Sequence, residues 1–137
     1  MINYLNSLGK KSQVAFNNMI DTKTKNKVLD KFAFLIEKEK KLITKENIKD
    51  INLAVKKKLK ENLINRLLLN SFKLKGIQSA IRNISKLKDP IDVTLYKWRR
   101  PNGLIIKKIS IPIGVIGVIY ESRPNVTSDV SSLSFKS

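Results

Sequence analysis

The 137-residue sequence contains no cysteine and no histidine. These absences exclude disulfides, thiolate or imidazole metal ligands, a cysteine nucleophile and a histidine general base within the chain. No apolar run reaches the roughly 18 to 20 residues that span a bilayer, and the N-terminal MINYLNSLGKKSQ lacks the basic-then-apolar order of a secretory signal. The composition predicts a cytoplasmic chain of about one domain, with no metal site and no membrane partner.

Acidic residues are scarce as well, with 11 Asp and Glu against 28 Lys and Arg, which gives a net charge of +17. Such an excess is typical of proteins that bind nucleic acid or anionic membranes. Only five basic residues are arginine, however, and the lysines are spread over the first two-thirds of the chain. This pattern favours a solvated, lysine-rich surface. A basic helical module that binds nucleic acid remains the alternative.

Helical periodicity dominates the chain as far as Lys88. Two predicted helical faces are formed by apolar residues at this spacing: Leu5, Leu8, Phe16 and Met19 in the first, and Val28, Phe32, Leu35 and Ile36 in the second. Further helices are predicted at about 44–58, at 62–69 and from residue 71 onward. Ser71 is a candidate N-cap for the last of these. Its apolar face is made of Leu74, Ile77, Ile81 and Ile84.

The pattern changes after Pro90, which disfavours continuation of the helix. The β-branched and aromatic stretch 93–98 and the stretch 104–109 are separated by Arg-Pro-Asn-Gly at 100–103, a strong turn signal. The sequence therefore predicts a β-hairpin. One side of each strand is polar, so we expect the hairpin to lie partly in solvent or against another chain.

An uncharged segment follows the hairpin. Residues 113–119 have no polar side chain, and Gly114 and Gly117 lie within the run. Such a segment is typical of a strand buried on both faces of a parallel sheet. A helix is predicted from about Thr127, so strand, loop and helix form the first half of a βαβ unit. One buried strand cannot pair its own backbone groups, and we therefore expect this chain to be the N-terminal piece of a longer protein.

The loop after the predicted strand is a candidate ligand site, because open α/β sheets bind ligands at the carboxyl ends of their strands. The simpler interpretation is that Pro124 turns the chain and Asn125 caps the next helix. No GxGxxG pattern follows the strand, so the residues alone indicate a possible site and nothing more specific.

Two segments carry a resemblance to a known family. IPIGVIGVIYESRPNVTSDV and the upstream NRLLLNSFKLKGIQSAIRNISKLKDPI resemble the gamma-glutamyl phosphate reductases, also called glutamate-5-semialdehyde dehydrogenases, of the aldehyde dehydrogenase superfamily. The resemblance implies an incomplete aldehyde dehydrogenase-like α/β fold. It divides the chain into an N-terminal helical region, 1–88, an oligomerisation-type hairpin, 89–111, and the start of an NADP-binding domain, 112–137.

The resemblance also implies an activity. Enzymes of this family use NADPH to reduce gamma-glutamyl phosphate to glutamate-5-semialdehyde in proline biosynthesis, and a hairpin such as 93–111 joins neighbouring subunits into a homo-oligomer. Asn125 is similar to the superfamily's asparagine that holds the oxyanion of the tetrahedral intermediates. The implied nicotinamide-site residues are Tyr120, Glu121, Ser122, Arg123 and Pro124. Arg123 either meets a phosphate or carboxylate or is a surface cation.

The sequence departs from this family in its lack of cysteine, because the implied mechanism needs a thiolate as both nucleophile and leaving group. We therefore expect the 137-residue chain alone to be inactive as a reductase. A third possibility is a noncatalytic fragment that pairs through its hairpin with a full-length subunit.

Overall fold

A computed structural model describes residues 2–18, 20–121 and 123–137. Met19, which was predicted on the first helical face, lies outside the described residues. The helices are α1 (Ile2–Asn17), α2 (Thr22–Lys38), α3 (Lys40–Lys56), α4 (Glu61–Leu67), α5 (Ser71–Lys86) and α6 (Pro124–Lys136). The strands are β1 (Thr94–Arg99) and β2 (Ile105–Ile109). The predicted order of helices, hairpin and final helix is therefore confirmed.

The chain forms two compact units. The first contains the residues up to 21, with 88–117 and Ser137, and so holds α1 and the hairpin. The second contains 22–87 and 118–136, and so holds α2 to α6. In the described part of the chain, no helix is both long and apolar enough to cross a membrane.

The core of the second unit lies where α2 packs against α5. The predicted α5 face is confirmed, since Leu74, Ile77 and Ile81 are buried. The predicted α2 face is confirmed in part, because Ile36 is buried and Phe32 half-buried, whereas Val28 and Leu35 are exposed. The other buried apolar residues of α2 are Leu29 and Ala33. Apolar periodicity predicts that a helix has an apolar face, but the neighbouring helix determines which residues of that face are buried.

A buried lysine attaches the end of α6 to α2 and α5. Only 2% of Lys136 is exposed, and its Nζ donates to Asn26 Oδ1 at 2.5 Å and to the Ser85 carbonyl at 3.2 Å. Lys25, also buried, donates from Nζ to the Lys136 carbonyl at 3.1 Å. Buried charges require such partners. These contacts fix α6, and with it the residues at its other end, within the second unit.

The predicted boundaries of α3, α4 and α5 need correction. α3 begins at Lys40, before the predicted Thr44, and α4 ends at Leu67 rather than Leu69. The N-cap of α5 is Asn70 and not Ser71, because Asn70 Oδ1 accepts from the Lys73 backbone N–H at 2.8 Å. Asn and Ser are almost equally good caps, so the sequence alone did not separate the neighbours.

Asn47 joins α3 to the segment between α4 and α5. Its side chain is buried, and Oδ1 accepts from the Leu69 N–H at 2.7 Å while Nδ2 donates to the Leu67 carbonyl at 3.0 Å. The carboxamide thus satisfies two backbone groups that follow the end of a helix.

Replacing Asn47 by leucine is expected to lower the free energy of unfolding by about 1–3 kcal/mol, because a buried donor and acceptor lose their partners. Urea denaturation followed by far-ultraviolet circular dichroism measures the change. The matched control is Asn52→Leu on the exposed side of α3, which should change stability by less than about 0.5 kcal/mol. Equal effects of the two substitutions would contradict the role of Asn47.

The first unit contains the predicted hairpin. β1 and β2 are antiparallel, with Lys97 opposite Lys107 and an irregularity between Thr94 and Tyr96. Gly103 has a φ of +85°, which favours glycine, and its N–H donates to the Arg100 carbonyl at 2.9 Å. The hairpin is therefore confirmed.

The strand predicted over 113–119 is not formed. Residues 111–121 lie in neither a helix nor a strand, and Ile113 and Ile119 are fully or almost fully exposed. Among the described residues the two strands pair only with each other, so this segment has no strand beside it. Gly114 has a φ of +111°, which interrupts an extended path. The prediction of burial was wrong for this chain because a strand needs a partner to satisfy its backbone.

α1 was predicted with an apolar face, and the helix is formed. Within its described residues no side chain is buried, and Leu5 and Leu8 on the predicted face are exposed. An amphipathic pattern is therefore present in α1 without a covering layer in this chain.

Candidate functional site

α6 begins earlier than predicted, and this places the candidate catalytic residue on a helix. The helix starts at Pro124, before the predicted Thr127. Proline is tolerated in the first turn because the first N–H groups of a helix have no intrahelical acceptor. The Val126 N–H donates to the Arg123 carbonyl at 3.0 Å. Asn125 therefore lies in the first turn of α6, and not in a loop that precedes it.

The side chain of Asn125 is exposed and has one partner among the described residues. Its Nδ2 donates to Asp129 Oδ2 at 3.2 Å, one helical turn along α6. A carboxamide nitrogen carries two N–H donors, so one remains for another acceptor. The Asn125 carbonyl accepts from Ser128 Oγ at 2.7 Å. Asp129 thus orients the amide and leaves it a free donor.

Asn125 lines a cleft of about 360 Å³ in the second unit. Three helices or their ends supply its walls: Arg66 from α4, Lys73, Gly76, Ile77 and Ala80 from α5, Pro124, Asn125 and Asp129 from α6, and Leu69. Clefts of about 300 Å³ or more, with a few convergent polar groups, are typical of small-molecule sites. The candidate catalytic residue therefore faces a space that a small substrate can enter.

Two cations and one carboxylate line this cleft. Lys73 is half-buried, and its Nζ donates to the carbonyls of Asn65 and Leu68, each at 2.7 Å. These carbonyls lie at the C-terminal end of α4, where cations are favoured. Arg66 is exposed and has no side-chain partner among the described residues. The ammonium is held in place by the protein, whereas the guanidinium is free to bind a ligand.

The predicted nicotinamide-site residues divide into two groups. Pro124 lines the cleft with Asn125. Tyr120, Glu121 and Arg123 are exposed and are not among the described residues that line it. The Tyr120 hydroxyl lies 2.8 Å from Thr127 Oγ1, which fastens this end of the segment to α6. Ser122 lies outside the described residues.

Sequence reasoning missed the three charged residues of the cleft. Arg66 and Lys73 carried no signal that separates them from the other 26 basic residues, since the total is 28. Asp129 could have been found, because it lies four residues after Asn125 and residues at this spacing meet on a helix. The sequence predicts the start of this helix at about Thr127, which leaves Asn125 outside it, so the helical spacing between Asn125 and Asp129 was not considered.

Comparisons with known proteins show that the chain is similar to one group of enzymes. The chain is 48% identical over 118 residues to the gamma-glutamyl phosphate reductase of Nitratiruptor sp., a match that covers 86% of this chain and 29% of the relative. The reductase of Desulforamulus reducens is 38% identical over 132 residues, which cover 95% of this chain and 32% of that protein.

Solved structures agree with the sequence comparisons. The crystal structure of gamma-glutamyl phosphate reductase from Thermotoga maritima matches with a TM-score of 0.91 and 36% identity, over 96% of this chain and 32% of that one. No protein-family profile matches the chain. The chain thus spans about a third of the length of the relatives it matches. By sequence and by fold, the chain is similar to the matching part of the gamma-glutamyl phosphate reductases.

Proposed function

We propose that this chain forms part of an enzyme that reduces gamma-glutamyl phosphate to glutamate-5-semialdehyde with NADPH and releases phosphate, in proline biosynthesis. The observation that carries the proposal is the 48% identity to a gamma-glutamyl phosphate reductase over 86% of the chain. The position of Asn125 on a substrate-sized cleft adds support. We assign residues 112–137 to the start of the cofactor domain, and the enzyme to the cytoplasm, where its metabolites would circulate.

The role proposed for Asn125 is stabilisation of the oxyanion. When a thiolate attacks the acyl phosphate, the carbonyl oxygen becomes negative, and it does so again when hydride reaches the thioester. A neutral N–H donor fixed beside that oxygen stabilises the transition state more than the ground state. The hydrogen bond from Asn125 to Asp129 fixes the amide in advance. The sequence has no cysteine, so the thiolate belongs to a part of the enzyme outside this sequence.

The segment before α6 fits a nicotinamide dinucleotide. Arg123 and Glu121 are exposed, and neither side chain has a partner among the described residues. A guanidinium can bind a phosphate bidentately, and a carboxylate can accept from ribose hydroxyls. We assign Tyr120, Glu121, Ser122, Arg123 and Pro124 to this role. NADPH would supply the hydride to the acyl carbon.

A chimera tests the function. In it this chain replaces the matching segment of the Nitratiruptor sp. reductase. We expect formation of NADPH from glutamate-5-semialdehyde, phosphate and NADP⁺, the reverse of the proposed reaction, with the chimera but not with the 137-residue chain alone, because only the chimera contains a thiol. Circular dichroism of the chimera controls for folding. A folded but inactive chimera, or turnover by the purified chain alone, would contradict the proposal.

We also propose that the hairpin pairs with a neighbouring subunit. Its support is the exposure of apolar side chains on and beside both strands, among them Leu95, Trp98, Leu104 and Ile105. Each strand of a two-stranded sheet has an unpaired edge that can accept another strand.

Replacing Ile105 by lysine in the chimera is expected to reduce the oligomer to smaller species in sedimentation velocity, because a charge would be buried in the contact. Leu42→Lys on α3, at a similarly exposed leucine outside the hairpin, is the control and should leave the assembly unchanged. An unchanged oligomer in Ile105→Lys would exclude the hairpin as the contact.

A further inference from the structure

The charges on the cleft that contains Asn125 are arranged as separate cationic and anionic groups. Arg66 and Asp129 both line this cleft, and among the described residues no ion pair joins them. Asp129 is half-buried, and only its Oδ2 has a partner in the described part of the chain. Asp129 Oδ1 therefore has no donor from the described part of the chain and can accept a hydrogen bond from a ligand. The cleft therefore has an open position for a cation and another for an anion.

We propose that this cleft binds the α-amino-acid end of the acyl phosphate substrate, with Arg66 holding the α-carboxylate and Asp129 the α-ammonium. The inference rests on the proposed function for the identity of the substrate. An amino acid carries both charges on neighbouring groups, so it can satisfy the guanidinium and the carboxylate together. An arginine fork suits a carboxylate in particular, since it donates two parallel N–H bonds.

A site for phosphate fits the same residues less well. A phosphate would pair with Arg66 and Lys73 but would meet the charge of Asp129 on the same cleft. Like charges in a partly desolvated site repel strongly. Lys73 already shares its ammonium between two carbonyls, so it contributes one remaining N–H and a fixed positive charge rather than a full set of donors.

The α5 wall of the cleft is shaped to leave room for this group. A Cβ added to Gly76 would meet no atom within 4 Å, so the space above the helix at that position is open. Ala80, one turn later, also lines the cleft and is small. Because both residues are small, their side chains do not fill the cleft. A large side chain at residue 76 would fill the cleft without changing its charge.

Nuclear magnetic resonance of the isotopically labelled 137-residue chain tests the inference. The probe is L-glutamate γ-methyl ester, which has the zwitterionic end and an uncharged acyl group. We expect it to shift the amide signals of Lys73, Gly76 and Asn125. Glutaric acid monomethyl ester, which lacks the ammonium, and inorganic phosphate should each bind about tenfold more weakly or worse. Equal binding of phosphate, or no shift with the zwitterion, would overturn the proposal.

Two variants and one control sharpen the test. Arg66→Gln should weaken binding of the ester by about tenfold, because the charged donor fork is lost. Arg82→Gln removes the same charge from an exposed position on α5 outside the cleft and should bind as the parent chain does. Gly76→Leu, which favours the helix, should abolish binding by filling the cleft. Unaltered binding in Arg66→Gln or in Gly76→Leu would refute the assignment.

The binding result is independent of turnover. If the chimera is inactive, the proposed function fails while the titration still decides whether the cleft takes an amino acid. If the chimera is active, Arg66→Gln should raise the KM for glutamate-5-semialdehyde about tenfold with little change in kcat, the pattern of lost uniform binding. An active chimera with an unchanged KM in Arg66→Gln would refute this inference and leave the proposed function in place.

Discussion

Replacing Asn125 by alanine is expected to lower the kcat of the chimera by about a hundred- to a thousandfold, which is the usual cost of removing one oxyanion donor. The KM should change little, because the donor acts on charge that appears only in the transition state. The measurement is NADPH formation in the reverse direction at saturating substrate. In the parent chain the amide faces the cleft and has one N–H not used by Asp129, so the loss is chemical rather than structural.

Asn52→Ala is the matched control for this change. Asn52 is an exposed asparagine on α3 that does not line the cleft, and its replacement should leave kcat unchanged. Both variants should unfold at nearly the same urea concentration as the parent, since Asn125 is exposed and its side chain makes a single hydrogen bond. A folded Asn125→Ala chimera with the parental kcat would eliminate the oxyanion role.

Replacing Leu29 by alanine is expected to lower the free energy of unfolding by about 2–5 kcal/mol, the largest stability effect we predict. Leu29 is 2% exposed and lies in the layer where α2 packs against α5, so the substitution removes buried methyl groups and leaves a cavity. Urea denaturation of the 137-residue chain followed by circular dichroism measures it. Trp98 lies in the hairpin, so its fluorescence reports on the other unit.

Leu53→Ala is the control for this change, because it removes a leucine side chain without leaving a cavity in the core. Leu53 lies on α3 and is 52% exposed, so its replacement should cost less than about 1 kcal/mol. Similar losses in the two variants would show that α2 and α5 do not form the packed layer.

The contrast between α2 and α5 shows what apolar periodicity can predict about the buried face of a helix. Both helices were predicted from apolar spacing, and both exist. On α5 the predicted residues Leu74, Ile77 and Ile81 are buried and Ile84 is half-buried, because the apolar stripe is narrow and has polar neighbours. α2 has several adjacent apolar residues, so more than one face was possible. Which of them is covered depends on the angle at which α5 crosses, and the local sequence does not contain that angle.

The segment 113–119 shows a different limit. Its uncharged composition is typical of a strand that lies between two layers. In the structure, however, its apolar side chains are exposed and no strand pairs with it. Hydrogen bonding in a sheet is a property of two strands, so composition can favour a strand but cannot supply its neighbour. The hairpin was predicted correctly because both of its strands and the turn lie within the chain.

Local physics thus determined most of the elements of this protein from the sequence alone: the helices from apolar spacing and the turn from Asn-Gly. The tertiary structure alone brought Arg66, Lys73 and Asp129 onto the cleft of Asn125. These residues lie on three helices and are separated in the chain by other charged side chains of the same kinds. The proximity of Lys73 and Asp129 arises from the packing of α5 against α6, a long-range contact that no local pattern encodes.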